Sequence, residues 1–134
     1  MKSILITGGT GHIGSYLIRN LHMFLPDIKI YILDNMSTNR YCSLFSLPKE
    51  CNYKFLNLDL TTCSLADIPD SDLTIHLAAK TDAAQSAKFK DEFYSNNLNS
   101  TKKIIEYINN NNSKILFASS TSVYGSQSNL VDEN

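Results

Sequence analysis

Three glycines follow the first apolar run of the chain. Ile4-Leu5-Ile6 passes through Thr7 into a turn carrying Gly8, Gly11 and Gly14, and residues of helical pattern come next. Strand, glycine turn and helix in that order suit a pyrophosphate. One glycine permits the sharp turn, one lets backbone approach the phosphates, and one lets the helix pack close to the strand. The helix turns its unpaired N–H groups and the positive end of its dipole toward the anion. An ordinary glycine-rich strand-to-helix turn fits the same residues, so the motif gains meaning from its context.

Other residues could act with it. Asp34 lies 20 residues beyond Gly14. A carboxylate there can accept hydrogen bonds from an adenosine ribose and repel a 2′-phosphate, favouring NAD over NADP. It could equally cap a turn, and Arg40 is near enough to leave NADP open. Asp59 could meet an adenine amino group with Leu60 against the ring, or simply cap the segment from Thr61. Leu77, Ala78 and Ala79 are apolar and small, as needed beside a cofactor and equally as a buried strand end. Ser119 and Ser120 follow an apolar run, where a serine pair is also an ordinary turn or cap. No histidine is placed to activate either serine. His12 lies in the glycine turn, His22 falls on a helix surface, and His76, inside a strand, reads as a satisfied core residue. No metal site is suggested.

The elements that must position these residues alternate. Strands are expected at Ile4–Ile6, Ile28–Leu33, Tyr53–Leu58, Leu73–Leu77 and Ile115–Ala118. A first helix carries Ile13, Tyr16, Leu17, Leu21, Phe24 and Leu25 at helical spacing and ends near Phe24 or Leu25, before Pro26. Leu65–Ile68 reads as a short helical turn. A long helix is expected from about Gln85 to Asn109, with Asn109–Asn112 as its end and loop. Alternation of this kind predicts an α/β fold, a doubly wound parallel sheet of about five strands. Ligands of such sheets bind at the carboxyl ends of the strands, where every cluster named above falls.

Bulk properties narrow the field. The chain has 134 residues, 43% hydrophobic and 19% charged, with a net charge of −1. That suits one folded domain and gives no reason to expect nucleic acid or an anionic membrane as partner. No apolar run approaches the roughly 20 residues of a membrane helix. The N-terminus enters a strand directly, without a signal-peptide pattern. Cys42, Cys51 and Cys63 are odd in number and lack C-x-x-C spacing, which points to a reduced, cytoplasmic setting.

Taken together, T-G-G-T-G-H-I-G (Thr7 to Gly14), L-D-N (Leu33 to Asn35), Asp59-Leu60, H-L-A-A (His76 to Ala79), N-N-L-N-S-T (Asn96 to Thr101) and S-S-T-S-V-Y-G (Ser119 to Gly125) resemble the extended short-chain dehydrogenase/reductases. The nearest likeness is to the NAD-dependent nucleotide-sugar epimerases and dehydratases. The resemblance implies a Rossmann domain holding NAD. Gly8, Gly11, His12, Ile13 and Gly14 would surround the pyrophosphate. Asp34 with Asn35, Met36, Ser37, Thr38 and Asn39 would hold the adenosine ribose. Asp59 and Leu60 would contact adenine. Leu77, Ala78, Ala79, Lys80 and Thr81 would line the cofactor, and Asn96 would reach it from the long helix. Asn97 would be the family's structural helix asparagine. Ser120 matches the active-site Ser/Thr that hydrogen-bonds the 4-hydroxyl of a nucleotide-sugar substrate.

One element of the family pattern is not found. Its Tyr-x-x-x-Lys acid/base pair falls further along than this sequence runs, and Tyr124 is followed four residues later by Ser128. The expectation is an N-terminal fragment without the substrate domain, able to bind NAD but not to turn over a sugar nucleotide. Self-association through the helix at 85–109 is also expected, by way of its apolar face. Two other readings fit: a non-catalytic dinucleotide-sensing module, and an extended-family reductase of a non-sugar carbonyl.

Overall fold

A computed structural model describes residues 1–81 and 88–120. Five strands, β1 (Ser3–Thr7), β2 (Lys29–Asp34), β3 (Asn52–Asn57), β4 (Leu73–His76) and β5 (Lys114–Phe117), form one sheet in the order β3-β2-β1-β4-β5. Every pairing is parallel. Helix α1 (His12–Asn20) connects β1 to β2, and α2 (Lys90–Asn111) precedes β5. The doubly wound α/β sheet of the sequence reading, a Rossmann-type order, is what forms.

The middle of the sheet is buried on both faces, where β1 and β2 are apolar in their central positions, while β5 at one edge is exposed along its length. Ile4 and Ile6 of β1 and Ile30 and Ile32 of β2 pack with Ile18 of α1 and Ile75 of β4 in one core. Leu5, Tyr31 and Leu33, pointing the other way, join Leu60, Ile68, Ile104 and Tyr107 in a second. The period-2 alternation of a strand thus separates two cores from one run of residues. Tyr107 is wholly buried, and its hydroxyl donates to the Pro69 carbonyl at 2.8 Å, so the burial leaves no orphaned donor.

Two element ends differ from the sequence reading. α1 stops at Asn20, and the apolar stripe continues through a 3₁₀ turn, Leu21–Met23, closed by the Phe24 and Leu25 N–H groups on the Leu21 carbonyl. The backbone then reverses through Asp27 at φ 60. α2 runs two residues beyond Asn109 and ends at Asn112, whose φ of 50 is the left-handed conformation that Asn tolerates at a helix end. The expected helix start near Gln85 and the V-Y-G segment with Tyr124 lie outside the described residues. On α2, Ile104 is buried, while Tyr94 and Ile105 are exposed. No helix among the described residues is long and apolar enough to cross a membrane.

Candidate functional site

Register places the carboxyl ends of the strands on one edge. Thr7 stands opposite Leu33 and His76, Asp34 opposite Asn57, and His76 opposite Phe117. A cleft of about 720 Å³ opens there, within the range of small-molecule sites. It runs from the glycine turn across the β1–β4 switch point to Ser119 and Ser120.

The glycine turn begins with Gly8 at φ 66, a conformation costly for any residue with a side chain. A Cβ there would also meet Ala78 N at 2.8 Å, so β1 and the exit of β4 approach more closely than any other residue permits. The Gly8 N–H donates to Leu33 O at 2.8 Å, tying the turn to β2. α1 starts from Gly11 with no side-chain cap and no acidic residue in its first turn. Its first N–H groups have no acceptor within the helix, and no acidic residue of its own first turn offsets the positive end of the dipole. His12 and Ile13 line the cleft with Gly8, Gly11 and Gly14.

Asp34 stands across from this turn. One carboxylate oxygen accepts from the Thr10 N–H at 3.1 Å and the other from the Met36 N–H at 2.9 Å. The carboxylate is therefore fixed between the glycine turn and the loop after β2, with lone pairs left for a further donor. Asn35 donates to Asp59 Oδ2 at 2.9 Å and accepts from the Ser37 N–H at 3.1 Å. Asp59 Oδ1 accepts from both the N–H and the hydroxyl of Thr61. The capping role and the cleft position, alternatives in sequence, thus coincide. Burial pushes the Asp59 carboxyl up, but the hydrogen bonds from Thr61 and Asn35, with Lys80 nearby, outweigh it and hold the group below the usual carboxylate range.

Asn35, Ser37, Thr38, Asp59 and Leu60 lie on the cleft wall, as does Arg40. Met36 and Asn39 do not. Met36 turns inward at φ 56 and is 4% exposed, and Asn39 closes a turn by donating to the Met36 carbonyl at 2.8 Å. Leu77, Ala78, Ala79, Lys80 and Thr81 form the wall beyond β4, and Asn96 faces it from α2. The Lys80 ammonium pairs with Glu92 and sits over the Phe93 ring.

Asn97 clamps the backbone of Lys80 from both sides: its Oδ1 accepts from the Lys80 N–H at 2.8 Å and its Nδ2 donates to the Lys80 carbonyl at 3.0 Å. An Asn97→Asp substitution keeps the first bond and sets an oxygen against an oxygen in the second. A loss of about 2 kcal/mol is expected, readable as a lower urea midpoint.

Sequence reasoning missed the network beneath the cleft. The Thr7 hydroxyl accepts from the Ala78 N–H at 3.3 Å and from the Leu77 N–H at 3.2 Å, the latter shared with the Thr7 carbonyl at 3.1 Å. Both lone pairs of the hydroxyl are then used, so its hydrogen must point to His76 Nδ1 at 2.7 Å. His76 is consequently the neutral Nε2–H tautomer and donates to Thr101 Oγ1 at 3.2 Å. Burial holds its pKa down at about 4. The core reading of His76 matches this geometry, although its ring also reaches the cleft floor. Two signals for the network were present: a lone hydroxyl ending an apolar strand at Thr7, and the helical i, i+4 spacing of Asn97 and Thr101.

Comparison with known proteins places this arrangement. Residues 4–134 match the family model described as the NAD dependent epimerase/dehydratase family. The dTDP-D-glucose 4,6-dehydratase of Dictyostelium discoideum is 34% identical over 143 residues, covering 100% of this chain and 32% of the relative. The UDP-glucose 4-epimerase of Mycoplasma pneumoniae is 31% identical over 139 residues, covering 99% and 40%. Among solved structures, UDP-N-acetylglucosamine 4-epimerase from Methanobrevibacter ruminantium M1, in complex with UDP-N-acetylmuramic acid, superposes with a TM-score of 0.85 at 31% identity, over 98% of this chain and 42% of that one. UDP-glucose 4-epimerase from Bifidobacterium longum, in complex with NAD+ and UDP, superposes with a TM-score of 0.74 at 26% identity, over 96% and 40%. The chain thus spans about a third to two fifths of the length of these relatives. It belongs to the NAD-dependent epimerase/dehydratase family.

Proposed function

We propose that this chain supplies the NAD-binding floor of a nucleotide-sugar epimerase or dehydratase. The observation that carries the reading is the uncapped, acid-free N-terminus of α1 facing the same cleft as the fixed carboxylate of Asp34. The residues fit the cofactor. A Cβ on Gly11 would have only the Gly8 carbonyl near it, at 3.2 Å, so the space a side chain would take on this cleft wall is open for a phosphate. The N–H groups of α1 would hold the pyrophosphate. Asp34 would accept from the adenosine ribose hydroxyls, and Asp59 and Leu60 would meet the adenine. Ala78 and Ala79, being small, would leave room along the nicotinamide half. NAD, when bound, supplies a hydride acceptor for the sugar's C4. Ser120 at the far end of the cleft would hydrogen-bond the sugar's 4-hydroxyl.

Calorimetric titration with NAD and NADP tests this. Saturable binding of NAD is expected, tighter than NADP by about tenfold or more, because Asp34 would face the 2′-phosphate with like charge. An absence of NAD binding, or a preference for NADP, would contradict the proposal.

A further inference from the structure

The loop after β2, which forms one rim of the cleft, is held from behind by a residue outside the cleft. Arg19, in the last turn of α1, donates from Nη2 to the carbonyls of Phe45 at 2.9 Å, Ser43 at 3.0 Å and Cys42 at 3.4 Å, and from Nη1 to that of Ser46 at 3.3 Å. These carbonyls lie at the end of the 3₁₀ turn Tyr41–Leu44 and just past it. A cation there also meets the negative end of the turn. The same turn is bolted to the glycine loop by the Ser43 hydroxyl, which donates to the Thr10 carbonyl at 2.8 Å in a buried bond.

Between these anchors and the fixed Asp34 runs the segment that presents Ser37, Thr38 and Arg40 to the cleft. Its shape is not one the chain prefers. Met36 has φ 56 and Ser46, just past the turn, has φ 51, a region that most residues with side chains avoid, while Asn39 at φ 54 is a residue that tolerates it. Such a backbone persists only where its surroundings over-determine it. The surroundings here are the burial of Met36, the Ser43–Thr10 bond and the Arg19 fork. Within the segment, the Ser43 N–H donates to the Arg40 carbonyl at 3.0 Å, so the clamp reaches the rim through a short hydrogen-bonded link.

We propose that Arg19 is a positioning residue for the adenosine end of the cofactor cleft: its guanidinium, by gathering carbonyls 42, 43, 45 and 46, sets where Ser37, Thr38 and Arg40 stand. The proposal rests on the NAD reading given above. It requires arginine rather than cation alone, because a planar fork with five donors can span several carbonyls and an ammonium on a flexible stem cannot.

Arg19→Lys and Arg19→Ala test it by two readouts. In the free protein, amide hydrogen exchange should accelerate across residues 36–46 in both variants, while β1 and β4 keep their protection. In titration with NAD, affinity should fall about tenfold in Arg19→Lys, since a rim that must be ordered on binding costs affinity. Exchange accelerated evenly over the whole sheet would show a general structural role and overturn the proposal. So would Arg19→Lys with wild-type exchange and wild-type affinity. Should Arg19→Ala fail to fold, Arg19→Lys decides on the same readouts. A wild-type chain that binds no NAD overturns the cofactor reading and this one together. Wild-type binding with an unaffected Arg19→Lys overturns only this one.

Discussion

Gly8→Ala is expected to destabilise the chain by about 2–5 kcal/mol, with NAD binding lost alongside. Two costs add. A side chain at φ 66 is disfavoured by about 1–2 kcal/mol. The new Cβ would also lie 2.8–2.9 Å from Ala78 N, Ala78 Cα and the Leu77 carbonyl carbon, all backbone, so relief requires β1 and the β4 exit to separate. Overpacking of this kind adds about 1–3 kcal/mol. Tm should fall by roughly 10 °C. Gly11→Ala is the informative partner. Gly11 has an ordinary φ of −63, and its added Cβ would meet only the Gly8 carbonyl, at 3.2 Å. That variant should melt within a few degrees of wild type and yet bind NAD weakly, because its methyl enters the space given to phosphate. Parallel thermal melts and NAD titrations of the two variants check the contrast. Equal NAD affinity for Gly11→Ala and wild type would remove the phosphate from this turn.

The second large effect is acid sensitivity between pH 6.5 and 4, from His76. The folded-state pKa, about 4, lies below the ordinary value of 6.5, so the unfolded chain binds a proton that the folded chain refuses. Stability from this group is complete above about pH 6.5 and is lost as pH falls toward 4, amounting to about 3 kcal/mol when both states are protonated. The cause is burial of the imidazole, and the Thr7 hydroxyl beside it has no acceptor to offer a second ring proton. That hydroxyl already accepts two N–H groups, and a protonated Nδ1 would offer it a third donor in a buried site. Carboxylates act lower on the scale. Asp59, and Asp72, whose carboxylate accepts from the Lys2 and Ser3 N–H groups, are held below their ordinary range and contribute stability above about pH 4 that is lost on further acidification. Urea unfolding at pH 7, 5.5 and 4.5 should therefore show a slope that His76→Gln flattens. An unchanged slope in His76→Gln would assign the acid sensitivity elsewhere.

Much of the fold was legible because its strands are short apolar runs bounded by polar turns. Ile4–Ile6 and Ile28–Leu33 read as strands since nearly every position is buried on one face or the other. The convergence of Asp34 with the glycine turn was legible from spacing, because one βαβ unit fixes how far the second strand end lies from the first. Other features depend on partners distant in sequence. Thr7 and His76 are 69 residues apart, and no local pattern shows that one hydroxyl gathers Leu77, Ala78 and the imidazole. Arg19 carries no local signal in the sequence, since its carbonyl partners come together only when the Tyr41–Leu44 turn folds back onto α1. Met36 sits in a polar run, and the family resemblance groups it with its neighbours as a cofactor contact. Its left-handed backbone sends the side chain into the interior instead, where burying a methionine is favourable. The early end of α1 was hidden for another reason: a 3₁₀ turn keeps an apolar stripe close enough to helical spacing to extend the pattern.

The most direct measurement is a backbone-amide NMR titration of the chain with NAD. Shifts should concentrate at Gly8–Gly14, Asp34–Thr38 and Leu77–Lys80, on the carboxyl edge of the sheet. Shifts confined to the hollow at the opposite edge, around Asp27 and Lys49–Tyr53, or no shifts at millimolar NAD, would contradict a cofactor site on the carboxyl edge.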